Sequence, residues 1–401
     1  MKMITTTLQQ LLLWLNFTSL LIATLSSANS SDGQNLVGLS LVPASRAHPG
    51  AVCLDGSSPG YHLQKGQGAG QHSWLVHLEG GGWCSTVQEC IYRARTARGS
   101  SSFMSPVAFA GHLSNSPLEN PGFHNWNRVF IRYCDGASFS GNVNEPLIVS
   151  ARGHSMRLFF RGQRVWEAVM EELLTRQGML NATQAILSGD SAGGLAAFHH
   201  CNDFKKKLRG DTIVKCLLDG AMFLDMPSIS GVSLIKDLYR KVTTLHNVTS
   251  LSHTCTSKQD RGECFFPQYN LDSITVPMFF LQSSYDSWQL RNVIAPAIVD
   301  PSHAWSLCTT DLSNCSKPQM GVLQEFRQAL LRNFRPLLGH PMWGMHIVSC
   351  LHHTEELYSY LWNGFTRVNN MTALQAFSKW YFGGGVVQNI DCAYPCNYTC
   401  R

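Results

Sequence analysis

Short apolar runs alternate with amphipathic stretches along this chain. Trp74 to Leu78, Arg128 to Tyr133, Gln184 to Leu187, Thr212 to Leu218 and Val276 to Leu281 are apolar or β-branched and read as buried strands, with Met345 to Val348 a further strand-like run. Between Met156 and Leu174, Leu158, Val165, Val169 and Leu173, with Trp166 and Met170, recur at three- and four-residue spacings, and charged residues fill the other face. That spacing predicts a helix with one buried side. Strands alternating with helices imply an α/β protein with a mainly parallel sheet covered on both faces. Asn35 to Lys65 reads as antiparallel hairpins leading into it, because Asp55-Gly56-Ser57-Ser58-Pro59-Gly60 is turn chemistry.

Composition changes the picture at the chain ends. With 401 residues, 44% hydrophobic and 14% charged, the chain can bury a large core. It has no fixed-period repeat, so one globular unit is the economical reading. Lys2 precedes an apolar run from Leu11 to Leu25 and then Ser26-Ser27-Ala28, which predicts a cleaved secretory signal over residues 1–28 and a single domain over 29–401. The run contains Asn16, Thr18 and Ser19 and falls short of the roughly 20 apolar residues of a membrane span.

All 14 cysteines follow Ala28, as expected where thiols are oxidised. The spacing suggests local pairs Cys84/Cys90, Cys255/Cys264, Cys308/Cys315 and Cys201/Cys216, leaving Cys53, Cys134, Cys350, Cys392, Cys396 and Cys400 to staple distant parts. Two C-x-x-C motifs would favour zinc, and the chain has no such pair. Asn181, Asn247, Asn314, Asn370 and Asn397 sit in glycosylation triplets. The formal charge of +5 becomes +4 when Lys2 leaves with the signal, a mild excess that suits a polyanionic matrix. Lys205-Lys206-Lys207 reads as a solvated helix end, not a nucleic-acid site.

Candidate chemistry centres on Gly189-Asp190-Ser191-Ala192-Gly193, which follows a strand and opens a helix. A nucleophilic serine on such a tight turn needs small neighbours two residues before and after it. Upstream, Leu78-Glu79-Gly80-Gly81-Gly82-Trp83-Cys84 leaves a strand as a glycine loop able to point N–H groups at a developing oxyanion. Hydrolase order then requires an acid and a base. Asp286, just past the late strand, is the candidate acid, with Asp219 and Asp225 as rivals and a helix N-cap as its alternative role. The base is His352 or His353, between which periodicity does not choose; His346 is expected to pack along its strand. Asp190 is expected to be structural. Among His199, His200 and Asp203, the four-residue spacing of His199 and Asp203 could suggest a metal pair, but a third ligand is not evident.

The blocks "VHLEGGGWC", "RYCDGASFSGN", "FRGQRVWEAVMEELL", "LSGDSAGGLAAFHHC", "VPMFFLQSSYDSWQL" and "DCAYPCNYTC" resemble plant pectin acetylesterases, a family related to the animal carboxylesterase Notum. The resemblance covers nearly the whole mature chain. It implies a secreted, disulfide-stapled α/β-hydrolase-like fold, a substrate of acetylated pectic polysaccharide in the cell wall, and no metal or organic cofactor. A monomer is expected, with no nucleic-acid partner and no stable membrane insertion. Carried over by position, the nucleophile is Ser191, the acid Asp286 and the base His353, from the family pattern Ser-Cys-x-x-His. The oxyanion donors are the N–H groups of Gly81, Gly82 and Ala192. Asp190 departs from the Cys of many plant members, and His352 is an additional histidine. The competing readings are an esterase for acetylated xylan or a lipidated protein, and a wall-binding relative without activity.

Overall fold

The computed structural model describes residues 36–42, 50–151 and 154–400; the predicted signal segment, residues 1–28, lies outside them. Nine strands form the main sheet: β1 (Leu39–Leu41), β2 (Gly60–Gln64), β3 (Ser73–Leu78), β4 (Asn127–Ile131), β5 (Gln184–Asp190), β6 (Ile213–Asp219), β7 (Met278–Ser283), β8 (Trp343–Val348) and β9 (Gln388–Ile390). Their order is β9-β8-β7-β6-β5-β3-β4-β2-β1. Every pair from β9 to β4 is parallel, while β2 runs antiparallel to both β4 and β1. This is a mainly parallel α/β-hydrolase-like sheet with an antiparallel entry.

The strands are apolar on both faces because helices cover both faces. Trp74, Val76 and Leu78 of β3 and Met278 and Phe280 of β7 join one core, with α2 (Gly162–Thr175), α3 (Ala192–Lys207) and α5 (Lys317–Phe334). Leu75, Phe279 and Leu281 point the other way, against α6 (Ala373–Gly383), where Phe279 meets Phe377 and Trp380 at ring separations of 5.4 Å. The helix α1 (Val87–Arg93) follows the glycine loop, and its N-cap Thr86 accepts from the Glu89 N–H in a capping box.

Several predicted boundaries shift. The helix expected from Met156 starts at Gly162, because His154–Leu158 pairs antiparallel with Leu147–Ala151 and the strand alternation continues to buried Leu158 and Phe160. β4 ends at Ile131, before Tyr133, since Arg132 Nε and the Tyr133 N–H turn to the Glu79 carboxylate at 3.0 and 2.8 Å. β7 begins after Pro277, which has no N–H for the ladder.

The predicted local disulfides Cys84–Cys90, Cys201–Cys216, Cys255–Cys264 and Cys308–Cys315 are present. Cys53–Cys134 and Cys350–Cys400 bridge distant segments. Cys392–Cys396 does not: it closes a local loop, because the chain turns back there within reach. Among the described residues no helix is long and apolar enough to cross a membrane.

Phe279 is fully buried between the sheet and α6. Phe279→Ala is expected to cost about 3–5 kcal/mol by leaving a cavity, read as a lower denaturant midpoint with disulfides intact.

Candidate active site

Parallel strands deliver their C-terminal ends to one edge of a sheet, and the candidate residues follow those ends. Ser191 comes directly after β5 at φ 55° and ψ −124°, a conformation that costs a non-glycine residue of order 1–3 kcal/mol. Two backbone bonds hold it there: its N–H donates to the Asp219 carbonyl at 2.7 Å, and its carbonyl accepts from the Leu195 N–H at 2.9 Å. The flanking glycines are required by close approach. A Cβ on Gly193 would lie 2.0 Å from the Leu78 carbonyl oxygen, and one on Gly189 would lie 2.3 Å from the Gly193 carbonyl oxygen.

The structure brings Ser191, His353 and Asp286 into one line. The His353 ring offers Nε2 to Ser191 Oγ at 2.7 Å and Nδ1 to Asp286 Oδ2 at 2.9 Å. Asp286 is fully buried, and both of its expected roles coexist: Oδ2 also accepts from Gln282 Nε2, while Oδ1 caps the N–H groups of Trp288 and Gln289. His352 faces away, its Nε2 3.7 Å from Glu355, and burial pushes its ring down to about 4, so it stays neutral. His346 is buried within β8. Of the rival acids, Asp225 pairs with Lys236 at 2.7 Å and accepts from the Tyr269 hydroxyl. Asp219 has a different task. Its Oδ2 accepts the N–H groups of Glu355 and Glu356 at 2.6 and 2.7 Å, fixing the turn that follows His353.

The glycine loop is pinned from behind. Arg93 Nη1 donates to the Gly81 carbonyl at 2.9 Å and the Tyr133 hydroxyl donates to the Gly82 carbonyl at 2.8 Å. In a trans peptide the following N–H points opposite to the carbonyl, so the Arg93 contact turns the Gly82 N–H the other way. Among the described residues nothing accepts a hydrogen bond from the N–H groups of Gly81, Gly82 or Ala192. Ser138 joins loop to turn by accepting from Trp83 Nε1 and donating to the Ala192 carbonyl, each near 2.8 Å. Arg93, Tyr133 and Ser138 did not emerge as site residues from the sequence, and Asp219 emerged only as a rival acid. Tyr133 and Ser138 lie in the "RYCDGASFSGN" block, which was the available signal.

The side chains of the candidate metal clusters have other partners among the described residues. His199 bonds the Phe265 carbonyl, and Asp203 accepts from Trp166 Nε1, so they do not converge. Cys84 and Cys90 beside His246, and Cys392 and Cys396 beside Asp391, are oxidised to disulfides. In the His77, His112 and Glu356 cluster, both His77 nitrogens already face carboxylates at 3.1 and 3.2 Å.

A model of the Pectinacetylesterase family matches residues 30–401. The chain belongs to the pectinacetylesterase family. Similar members include pectin acetylesterase 5 of Arabidopsis thaliana, 44% identical over 355 residues that cover 88% of this chain and 82% of that one. Pectin acetylesterase 7 of the same plant is 43% identical over 374 residues, covering 91% and 94%. The solved structure of the Wnt deacylase Notum from Drosophila shares the fold with a TM-score of 0.75 at 24% identity, covering 92% of this chain and 100% of that one. The protein is thus a carboxylic ester hydrolase.

In this pectinacetylesterase Asp190 has a visible structural task. Its Oδ1 accepts from the Gly80 N–H at 2.8 Å and faces His77 Nε2 at 3.1 Å, which anchors the start of the glycine loop to the serine turn. Gly193→Ala is expected to displace the Ser191 turn from β3, with a loss of more than about 3 kcal/mol of stability or of all detectable esterase activity; differential scanning calorimetry and ester hydrolysis read the two outcomes.

Proposed function

We propose that this pectinacetylesterase is a secreted serine esterase that removes acetyl groups from galacturonan-type pectin through an acetyl-Ser191 intermediate. The observation that carries the reading is the hydrogen-bonded line Ser191–His353–Asp286 beside unpartnered backbone N–H groups. His353 Nε2 takes the Ser191 proton as Oγ attacks the acetyl carbonyl, and Asp286 holds the Nδ1–H tautomer and stabilises the imidazolium. Gly81, Gly82 and Ala192 donate to the oxyanion. As the intermediate collapses and the acetyl C–O bond to the sugar breaks, His353 gives its proton to the departing sugar oxygen, which leaves as the hydroxyl. A water deprotonated by the same ring cleaves the acetyl-serine, releasing acetate and restoring Ser191.

A short acyl group suits the walls. Phe223 and Trp288 lie 6.1 and 6.0 Å from the His353 ring, and they contact each other and Trp83 at 5.0 to 5.7 Å. Tyr239 closes the group 5.1 Å from Trp83. We read these edge-to-face rings as a wall beside His353 that limits the length of the acyl group. A uronate polymer suits the cavity of about 530 Å³ between the glycine loop and α1, whose lining includes Trp83, Tyr92, Arg93 and Arg98 together with one acid, Glu89. Arg98, 40% exposed and ion-paired to Glu79, supplies positive charge beside Gly81 for a polymer that carries carboxylates. Export, with residues 1–28 removed and 29–401 forming one domain, accords with seven disulfides, no free cysteine among the described residues, and a compact unit over Val37–Arg401.

Acetate release from acetylated polygalacturonan is expected to exceed release from acetylated xylan, and octanoyl esters are expected to be poor substrates. Phe223→Ala should raise octanoyl relative to acetyl turnover by about tenfold or more. Preference for xylan or for long-chain esters in the wild-type enzyme would contradict the reading.

A further inference from the structure

A buried histidine outside the Ser191–His353–Asp286 line joins the two halves of this site. His77, on β3, is fully buried and stacks on Phe130 at 5.2 Å. Its Nε2 lies 3.1 Å from Asp190 Oδ1, the oxygen that also accepts the Gly80 N–H, and its Nδ1 lies 3.2 Å from Glu356 Oε1 and 3.1 Å from Ser188 Oγ. Glu356 stands three residues after His353 in the turn whose backbone N–H groups Asp219 holds. The contacts Gly80–Asp190–His77–Glu356 therefore run beneath Ser191 from the glycine loop to the segment that carries His353.

We infer that protonated His77 is a positioning residue for catalysis, clamping the glycine loop through Asp190 and the His353 segment through Glu356. The inference rests on the esterase reading of Ser191. Charge supports it. Burial alone would push the ring down, but the Glu356 and Asp190 carboxylates outweigh burial and raise it to about 9. Asp190 is held below the usual carboxylate range by His77 and the Gly80 N–H against the cost of burial, with Arg98 also facing it. The other groups around the clamp are His112, kept neutral by burial and by His77, and the buried carboxyls of Glu355 and Asp219 beside Glu356. When His77 loses its proton, Asp190 and Glu356 lose the buried cation that stands between them, and Glu356, whose carboxyl is already pushed up by burial, keeps no other cation there among the described residues.

The clamp is complete below the unfolded-state pKa of about 6.5 and is lost as pH rises through about 9. An esterase limited only by His353 would instead reach a plateau once that base is neutral.

The test is kcat and KM for a soluble acetyl ester from pH 6 to pH 10, in the full-length folded enzyme and in Asp190→Asn and His77→Gln. The wild-type kcat should fall above an apparent pKa near 9 with KM unchanged. Asp190→Asn keeps an acceptor for Gly80 but removes one charge, and should move that limb down by about one pH unit. His77→Gln keeps amide contacts without charge, and should lower kcat at pH 7 about tenfold while flattening the alkaline limb. An active enzyme whose limb stays in place in Asp190→Asn, or whose His77→Gln variant loses melting temperature with wild-type kcat, overturns the inference and leaves the esterase reading standing. A wild-type protein inert toward every acetyl ester overturns both.

Discussion

The site depends on one close approach, that of the first turn of α3 to the end of β3. Gly193 lies so near the Leu78 carbonyl that no side chain fits between them, and this contact sets Ser191 beside the loop that begins at Glu79. The parallel register places His77 opposite Ser188 and Leu78 opposite Gly189, so the same two strands carry the serine turn and the glycine loop. Asp219, at the end of the next strand, contributes its carbonyl to Ser191 and its carboxylate to the turn after His353. The proposed nucleophile, oxyanion donors and base are thus referred to one set of strand ends, and a shift of any one is felt by the others.

That economy concentrates ionisable groups where water is scarce. His77, Asp190, Asp219, Glu355 and Glu356 crowd the space under the serine turn, and most of them are buried. Buried charge is costly unless paired. Here the pairing partners are backbone N–H groups and one imidazole, which confer order on two loops and little net stability. The carboxylate of Asp190 fits this arrangement, since it gives His77 a second anion and gives Gly80 an acceptor.

Much of the architecture was legible in the sequence because strands apolar on both faces, such as Met278 to Leu281, leave a strong local signature. The helix expected from Met156 started late because Leu158 and Phe160 satisfy a period of two as well as a helical one, and the hairpin partner at Leu147–Ala151 decides between them. His352 and His353 were inseparable by pattern: adjacent residues on a loop differ only in where the backbone turns them, and Asp219 sets that turn from a distant strand. His77 read as an ordinary strand residue. Its role depends on Glu356, almost three hundred residues away in the chain and adjacent only in the fold.

The most direct measurement of the central claim is intact-mass and peptide analysis of enzyme acid-quenched during turnover of an acetyl ester. The account predicts a mass increase of one acetyl group on the peptide containing Ser191, absent in Ser191→Ala, which should also release no acetate. An acetyl group trapped on another residue, or undiminished turnover by Ser191→Ala, would contradict it.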